Sequence, residues 1–186
     1  VARRLSLRKH PECHSMAGGK AMEHLARTGD QHWHSFRVPL QHHRSCAFSF
    51  SGLQNLVNNA ITQQEKEEGI EEGELLSCVK DVAAAVQHAV AVHIIQRTYR
   101  AMLFCRKNSI IPSTNATLVA SGGVASNQYI RKGLQALADV NGFAFLCPPP
   151  RLCTDNGVMI AWNGIERLRA GLGVLHSTEG VRYEPK

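Results

Sequence analysis

The residues that could do chemistry lie at two places where a short apolar run gives way to a turn and then a helix. The first is SGGVASN at residues 121–127, and the second is CPPPRLCTDNG at residues 147–157. A helix N-terminus presents unpaired N–H groups and the positive end of the helix dipole, which together attract anions. We therefore expect these stretches to hold an anion or a nucleotide.

The first stretch combines two glycines with two polar residues. Gly122 and Gly123 permit positive φ and let a ligand come close to the backbone. Ser126 and Asn127 can cap the following helix and can also present polar atoms to a ligand. The pattern is neither GxGxxG nor a Walker loop. From spacing alone, a strand-to-helix turn and a ligand-binding loop are equally good interpretations.

The second stretch carries Asp155 directly before a predicted helix. Asp155 could contribute to the helix cap in a favourable dipole position, or it could be a carboxylate at a metal or phosphate site. The C-terminal ends of strands are where α/β folds bind ligands, which favours the second interpretation.

Histidine and cysteine patterns favour neither zinc binding nor nucleophilic catalysis. His10 and His14 have HxxxH spacing, but Pro11 argues against the helix that would place both imidazoles on one face. The six cysteines include no CxxC pair. No Ser-His-Asp or Cys-His arrangement can be defended.

The composition indicates a globular chain with a modest basic excess. Its 186 residues are 44% hydrophobic and 19% charged, with a formal net charge of +6, which permits nucleic-acid contact without establishing it. Arg3, Arg4 and Arg8, or the cations between residues 97 and 107, are candidates for phosphate contact. No apolar run approaches the roughly 20 residues of a membrane span, so no membrane partner is expected.

Hydrophobic periodicity and turn residues predict alternating helices and short strands, which is typical of an α/β fold. The predicted helices cover residues 20–27, a segment that begins near 53, 75–107, 127–138 and 156–170, and the predicted strands cover residues 46–50, 117–120 and 143–147. The unit from 117 to 147 implies a parallel crossover. The last helix is expected to offer its apolar side chains for packing.

Four stretches together resemble the TsaD family of tRNA N6-adenosine threonylcarbamoyltransferases. They are SGGVASN, CPPPRLCTDNG, FSFSGL at residues 48–53, and Gly18-Gly19 followed by Glu23. Their order and spacing match along nearly the whole chain, and the details look most like the mitochondrial, bacterial-type branch.

The resemblance implies the actin-like ATPase (ASKHA) fold, of which this chain would supply the C-terminal lobe with connecting helices. The whole of residues 1–186 would then be the C-terminal portion of a longer domain. Residues 1–74 would form linking helices and loops, residues 75–170 the nucleotide-binding lobe, and residues 171–186 a tail.

The resemblance also implies roles for seven residues, at a ribose, at an adenosine or phosphate group, and at one divalent metal ion. These are Gly19 and Glu23 at the ribose; Gly122, Gly123, Ser126 and Asn127 at the adenosine or phosphate; and Asp155 on the metal. The family's metal-binding histidines belong to a preceding portion, so we expect this chain to be inactive alone.

The activity implied is transfer of a threonylcarbamoyl group from threonylcarbamoyl-AMP to the N6 amine of the adenosine next to the anticodon of tRNA, in mitochondria. A homodimer is compatible with the resemblance. Two alternatives stay open: a catalytically incomplete nucleotide-binding fragment, and an ATPase or phosphotransferase of the same fold superfamily.

Overall fold

The computed structural model describes residues 1–112, 114–154, 156–173, 177 and 179–180. In these ranges the chain forms α1 (Gly18–Ala26), α2 (Phe50–Glu68), α3 (Val79–Lys107), β1 (Thr117–Val119), α4 (Gln128–Val140), β2 (Ala144–Leu146) and α5 (Gly157–Arg169). Three 3₁₀ turns cover Leu7–Lys9, Gly123–Ser126 and Pro150–Leu152. The predicted helices are confirmed, with boundaries shifted by a few residues.

The two strands form a parallel pair, in which Leu118 lies opposite Phe145. The predicted parallel connection through α4 is therefore confirmed. Leu118 and Phe145 pack on the same apolar clusters as α4, whereas Val119 and Leu146 are exposed. The described residues thus form a helix-rich fold with two strands, which is consistent with part of an α/β domain.

Helix α3 is the centre around which α1 and α4 are arranged. Its alanines and valines from 82 to 91 include many of the most buried side chains in the described ranges. A Cβ at Gly29, just after α1, would lie 2.0 Å from the Lys80 carbonyl oxygen of α3. A Cβ at Gly133 of α4 would lie 2.5 Å from Ile95 Cδ1. These two glycines allow α4 and the segment after α1 to approach α3 closely.

The predicted strand at residues 46–50 is wrong, because Phe50 already begins α2. The Ser49 N–H donates to His93 Nε2 at 3.0 Å instead of to a strand partner. The rings of Phe48 and Phe50 meet the His93 ring edge-on, at centroid distances of 5.8 and 5.3 Å. Alternating aromatics here surround one buried imidazole, and the backbone pairs with a side chain from α3.

The predicted packing role of α5 is not fulfilled within the described residues. Ile160 is 75% exposed and Trp162 is 60% exposed, and every described side chain of α5 lies on the surface.

No helix in the described part of the chain is both long and apolar enough to cross a membrane.

The expectation that the cations at the end of α3 are free for phosphate contact is wrong for Arg97. Its side chain is only 1% exposed. The guanidinium donates to the carbonyls of Pro39, Leu40, His43 and Ser45. It therefore holds the histidine-rich loop at residues 39–45 rather than an external anion. Arg100 donates to Gln41 O at 2.7 Å in the same loop.

Candidate nucleotide-binding site

The first turn of α4 is where two of the predicted site residues, Asn127 and Glu23, meet. Asn127 Oδ1 accepts from the N–H groups of Tyr129 at 2.9 Å and Ile130 at 3.1 Å. Its Nδ2 donates to Gln87 Oε1 on α3 at 2.8 Å. A cap of this kind stabilises a helix by about 1 kcal/mol. The capping interpretation of Asn127 is thereby confirmed, and the ligand role remains a proposal.

Glu23 comes to the same helix end from α1. Its Oε1 accepts the backbone N–H of Gln128 at 2.8 Å, across 105 positions of sequence. A carboxylate is favoured at a helix N-terminus because the dipole presents its positive end there. Among the described residues Glu23 Oε2 has no hydrogen-bond partner, so this oxygen can accept a bond from a ligand.

Three predicted site glycines face open space. A Cβ built on Gly19, Gly122 or Gly123 meets no atom within 4 Å, in contrast to Gly29 and Gly133. Gly122 has φ of 98°, which an L side chain rarely adopts. Gly19 and Gly123 have neither positive φ nor a close neighbour that demands glycine. Their bare backbone leaves room for a ligand.

Ser126 is used differently from its predicted capping role. Its Oγ donates to the Gly123 carbonyl at 2.6 Å and so closes the 3₁₀ turn that connects β1 to α4. The hydroxyl therefore shapes the glycine loop at residues 122–126. Whether Ser126 also contacts a ligand stays a prediction.

A cleft of about 600 Å³ opens beside Glu23, between the end of α1 and the first turn of α4. Arg27, Tyr129 and Lys132 line it. The Tyr129 hydroxyl donates to Gln31 Oε1 at 2.7 Å and lies 2.8 Å from His88 Nδ1. Burial raises the pKa of this hydroxyl, so it stays protonated as a donor.

Sequence reasoning missed Tyr129, Gln87 and Arg27. The only signal for Tyr129 was its place two residues after a cap, which says nothing about a partner on α3. Arg27 had a findable signal, because it lies one helical turn after Glu23 on the same face.

A second, larger cleft of about 1090 Å³ lies at the start of α1. Gly18 and Gly19 line it together with four cations: Arg3, Arg4, Arg8 and Lys9. Arg4 is engaged in a bidentate pair with Glu65 that holds the pKa of this carboxyl below its ordinary range. Arg3 and Arg8 are exposed and remain candidates for phosphate contact.

The loop after β2 lies against the glycine loop. Arg131 of α4 connects them, since its guanidinium donates to the Ala125 carbonyl and to the Pro148 carbonyl. Cys147 Sγ also approaches Ala125 O at 3.7 Å. The two stretches that the sequence singled out are therefore neighbours up to residue 154, while Asp155 itself lies outside the described residues.

The described residues do not fit a metal site. They contain no group of three or more His, Cys, Asp or Glu side chains that could hold an ion. His14 Nδ1 lies 2.9 Å from Pro11 O, and His10 Nδ1 accepts from the Glu12 N–H at 3.3 Å. These contacts are local to the loop.

Comparison with known proteins places this chain in a family. Residues 1–162 match the family described as TsaD: tRNA N6-adenosine threonylcarbamoyltransferase. The chain is 60% identical, over all 186 residues and 45% of the relative, to the mitochondrial tRNA N6-adenosine threonylcarbamoyltransferase of Homo sapiens. The chain is 58% identical to the mitochondrial tRNA N6-adenosine threonylcarbamoyltransferase of Xenopus tropicalis, over the whole chain and 46% of the relative. It is 38% identical to the probable mitochondrial tRNA N6-adenosine threonylcarbamoyltransferase of Drosophila melanogaster, over 90% of the chain and 42% of the relative.

The chain thus spans about half the length of the curated relatives that it matches. The family match covers most of the chain, including the glycine loop, Glu23 and the first turn of α4. On these grounds the chain belongs to the TsaD family of tRNA N6-adenosine threonylcarbamoyltransferases.

Proposed function

We propose that the protein to which this chain belongs transfers a threonylcarbamoyl group from threonylcarbamoyl-AMP to the N6 amine of an adenosine in tRNA. The relatives' names support this activity, and their mitochondrial location supports the same location here. The structural observation that carries the proposal is the Glu23 carboxylate at the N-terminus of α4, whose Oε2 has no hydrogen-bond partner among the described residues.

The ribose of the adenylate is proposed to bind at Glu23. Its Oε1 is held by the Gln128 N–H, which orients the side chain and leaves Oε2 to accept from a ribose hydroxyl. Gly19 is proposed at the ribose from the resemblance; it lies one turn earlier on α1 and lines the larger cleft at the start of that helix. A carboxylate is suited to this task because it accepts strong hydrogen bonds from hydroxyl donors.

The rest of the adenylate is proposed to bind on either side of that ribose. The cleft lined by Arg27 and Tyr129 offers polar groups and a flat ring to a base. Gly122 and Gly123 can turn backbone N–H groups towards the phosphate, with Asn127 beside them. In acyl transfer the AMP portion leaves, and donors aimed at its developing negative charge lower the barrier.

The fold and domain assignments are proposed on the resemblance, with the parallel β1–α4–β2 unit as support. We propose an actin-like ATPase (ASKHA) fold, in which this chain forms the C-terminal lobe with its connecting helices. Residues 1–74 are assigned to linking helices and loops, residues 75–170 to the nucleotide-binding lobe, and residues 171–186 to a tail.

Asp155 is proposed as one carboxylate ligand of a divalent metal ion, from its place in CPPPRLCTDNG alone. A divalent ion needs several ligands, so one carboxylate cannot hold it by itself. The homodimer rests likewise on resemblance, and sedimentation of the full-length protein tests it.

The test is a transfer assay with the full-length protein, the adenylate and unmodified tRNA, read by mass spectrometry of the digested nucleosides. We expect threonylcarbamoyladenosine, and a large loss in Glu23→Gln but not in Glu67→Gln. Glu67 is a suitable control because its carboxylate bonds only to Gln63 among the described residues. Nucleotide hydrolysis without any tRNA product would instead favour the ATPase alternative.

The same assay compares the full-length protein with the isolated 186-residue chain. We expect the isolated 186-residue chain to give no tRNA product while it retains the glycine loop and Glu23. Turnover by the isolated chain would refute the expectation that it is catalytically incomplete.

A further inference from the structure

We propose that Arg131 is a positioning residue, which sets the loop at residues 147–154 against the glycine loop at residues 122–126. The inference rests on the proposed function, since the two loops would then be two sides of one adenylate site. Arg131 does not touch the proposed ligand. It acts through the two loops that it connects.

The geometry of the guanidinium carries this inference. Arg131 Nε donates to Ala125 O in the glycine loop. One of its terminal nitrogens donates to Pro148 O at 2.6 Å and to Cys153 Sγ at 3.2 Å, both in the loop after β2. A single half-buried side chain of α4 thus bonds the beginning and the end of one loop to Ala125 of the other.

The other hydrogen bond described between these loops is weaker. Cys147 Sγ to Ala125 O, at 3.7 Å, is a thiol hydrogen bond. The remaining described hydrogen bonds of the loop are local, such as Leu152 N–H to Pro149 O at 2.8 Å and Cys153 Sγ to Pro148 O at 3.5 Å. Hydrogen bonds to a charged donor are stronger than those of a neutral thiol, so Arg131 dominates the connection.

Arginine is suited to this position because its donors form a rigid planar fork. The fork bonds one loop with Nε and the other with a terminal nitrogen, and it cannot lose its charge in a protein. Lysine keeps the charge but concentrates it at one flexible point. A lysine can therefore hold one loop at a time, which makes Arg131→Lys a test of geometry against charge.

The expected consequence is a change in kcat rather than in KM. The loop ends at Thr154, close in sequence to Asn156, which caps α5 by accepting the Met159 N–H. Releasing the loop would displace the N-terminus of α5, while Glu23 and Asn127 keep their own hydrogen bonds. Binding of the adenylate would change little, and alignment of the reacting groups would be lost.

The experiment uses the full-length protein with Arg131→Gln, Arg131→Lys and the control Arg106→Gln. Arg106 also donates from a guanidinium to a carbonyl, Asn141 O at 2.5 Å, but at the far end of α4. Steady-state transfer gives kcat and KM for the adenylate. Alkylation of Cys153, followed by mass spectrometry, reports loop release independently of activity, with the buried Cys13 as internal reference.

We expect Arg131→Gln to raise the labelling rate of Cys153 by about tenfold or more, the size expected for loss of a charged hydrogen bond. Cys13 labelling stays unchanged, kcat falls by a similar factor, and KM changes by less than about threefold. Arg131→Lys gives an intermediate result, and Arg106→Gln leaves Cys153 protected. If the glutamine variant does not fold, the lysine variant decides.

Unchanged labelling of Cys153 would overturn the proposal. An equal rise at Cys13 would also overturn it, because Arg131 would then support the whole fold rather than the loop. A higher KM with normal kcat contradicts a positioning role. If the unmodified protein transfers nothing, the proposed function fails, and the labelling result still tests the connection between the loops.

Discussion

Glu23 and Gln128 are joined by a 2.8 Å hydrogen bond between a carboxylate on α1 and the first backbone N–H of α4. Asn127, one residue earlier, caps the same helix and bonds Gln87 of α3. The start of α4 is thus fixed to two other helices at once. This rigid corner is where the proposed ribose contact and the glycine loop meet.

Asn127→Ala should lower the free energy of unfolding by about 1 kcal/mol or somewhat more, because the helix loses its cap and Gln87 loses a partner. The adenylate should bind more weakly at the same time. Urea unfolding and titration calorimetry measure the two effects. Asn156→Ala removes a comparable cap on the exposed α5, so it should reduce stability with little change in affinity for the adenylate.

Gly123→Ala should leave stability almost unchanged, since the added methyl group enters open space. Affinity for the adenylate should fall by about tenfold or more, because the methyl group occupies the space proposed for the phosphate and clashes there. Gly133→Ala is the matched control with the opposite pattern. Its methyl group would lie 2.5 Å from Ile95 Cδ1, so it should destabilise the fold by about 1–3 kcal/mol. Normal binding by Gly123→Ala would contradict the proposed site.

Acidification should loosen the segment around Ser49. Burial, followed by the neighbouring Arg97, lowers the pKa of His93, whose Nε2 accepts the Ser49 N–H. The folded state thus binds this proton less readily than the unfolded chain. The stabilising contribution is present above the ordinary pKa near 6.5 and is lost as the pH falls below it towards the lowered pKa.

The measurement for His93 is urea unfolding at pH 7.5 and pH 5.5 of the parent and His93→Gln. Glutamine does not titrate, so its stability should depend less steeply on pH. The neighbouring charged group that lowers the pKa of His93 is Arg97. Identical pH dependence in both proteins would remove His93 as the cause.

Arg97→Gln should release the histidine-rich loop, because four of its carbonyls lose a charged donor. A hydrogen bond to a charged group contributes about 1.5–3 kcal/mol. Limited trypsin digestion should then cut faster after the exposed Arg37 and Arg44. Arg100→Gln removes one bond to Gln41 O and should have a smaller effect. Equal cleavage of both variants would argue against Arg97 as the main tether.

Much of the local structure could be predicted from residue patterns. The helices, both strands β1 and β2, the cap at Asn127 and the glycine turn all depend on residues within a few positions of one another. The family resemblance rested on short motifs of the same kind. The strand predicted at residues 46–50 failed because alternation describes a half-buried strand and a segment wrapped around a buried histidine equally well.

The sequence by itself determined the helical periodicity, the capping residue and the family. The tertiary structure decided which distant groups meet: Glu23 with Gln128, Arg131 with Ala125 and Pro148, and Arg97 with the loop carbonyls. The physical reason is range. A cap or a period is set by steric and hydrogen-bonding preferences of neighbouring residues, whereas these contacts depend on how α1 and α4 pack against α3.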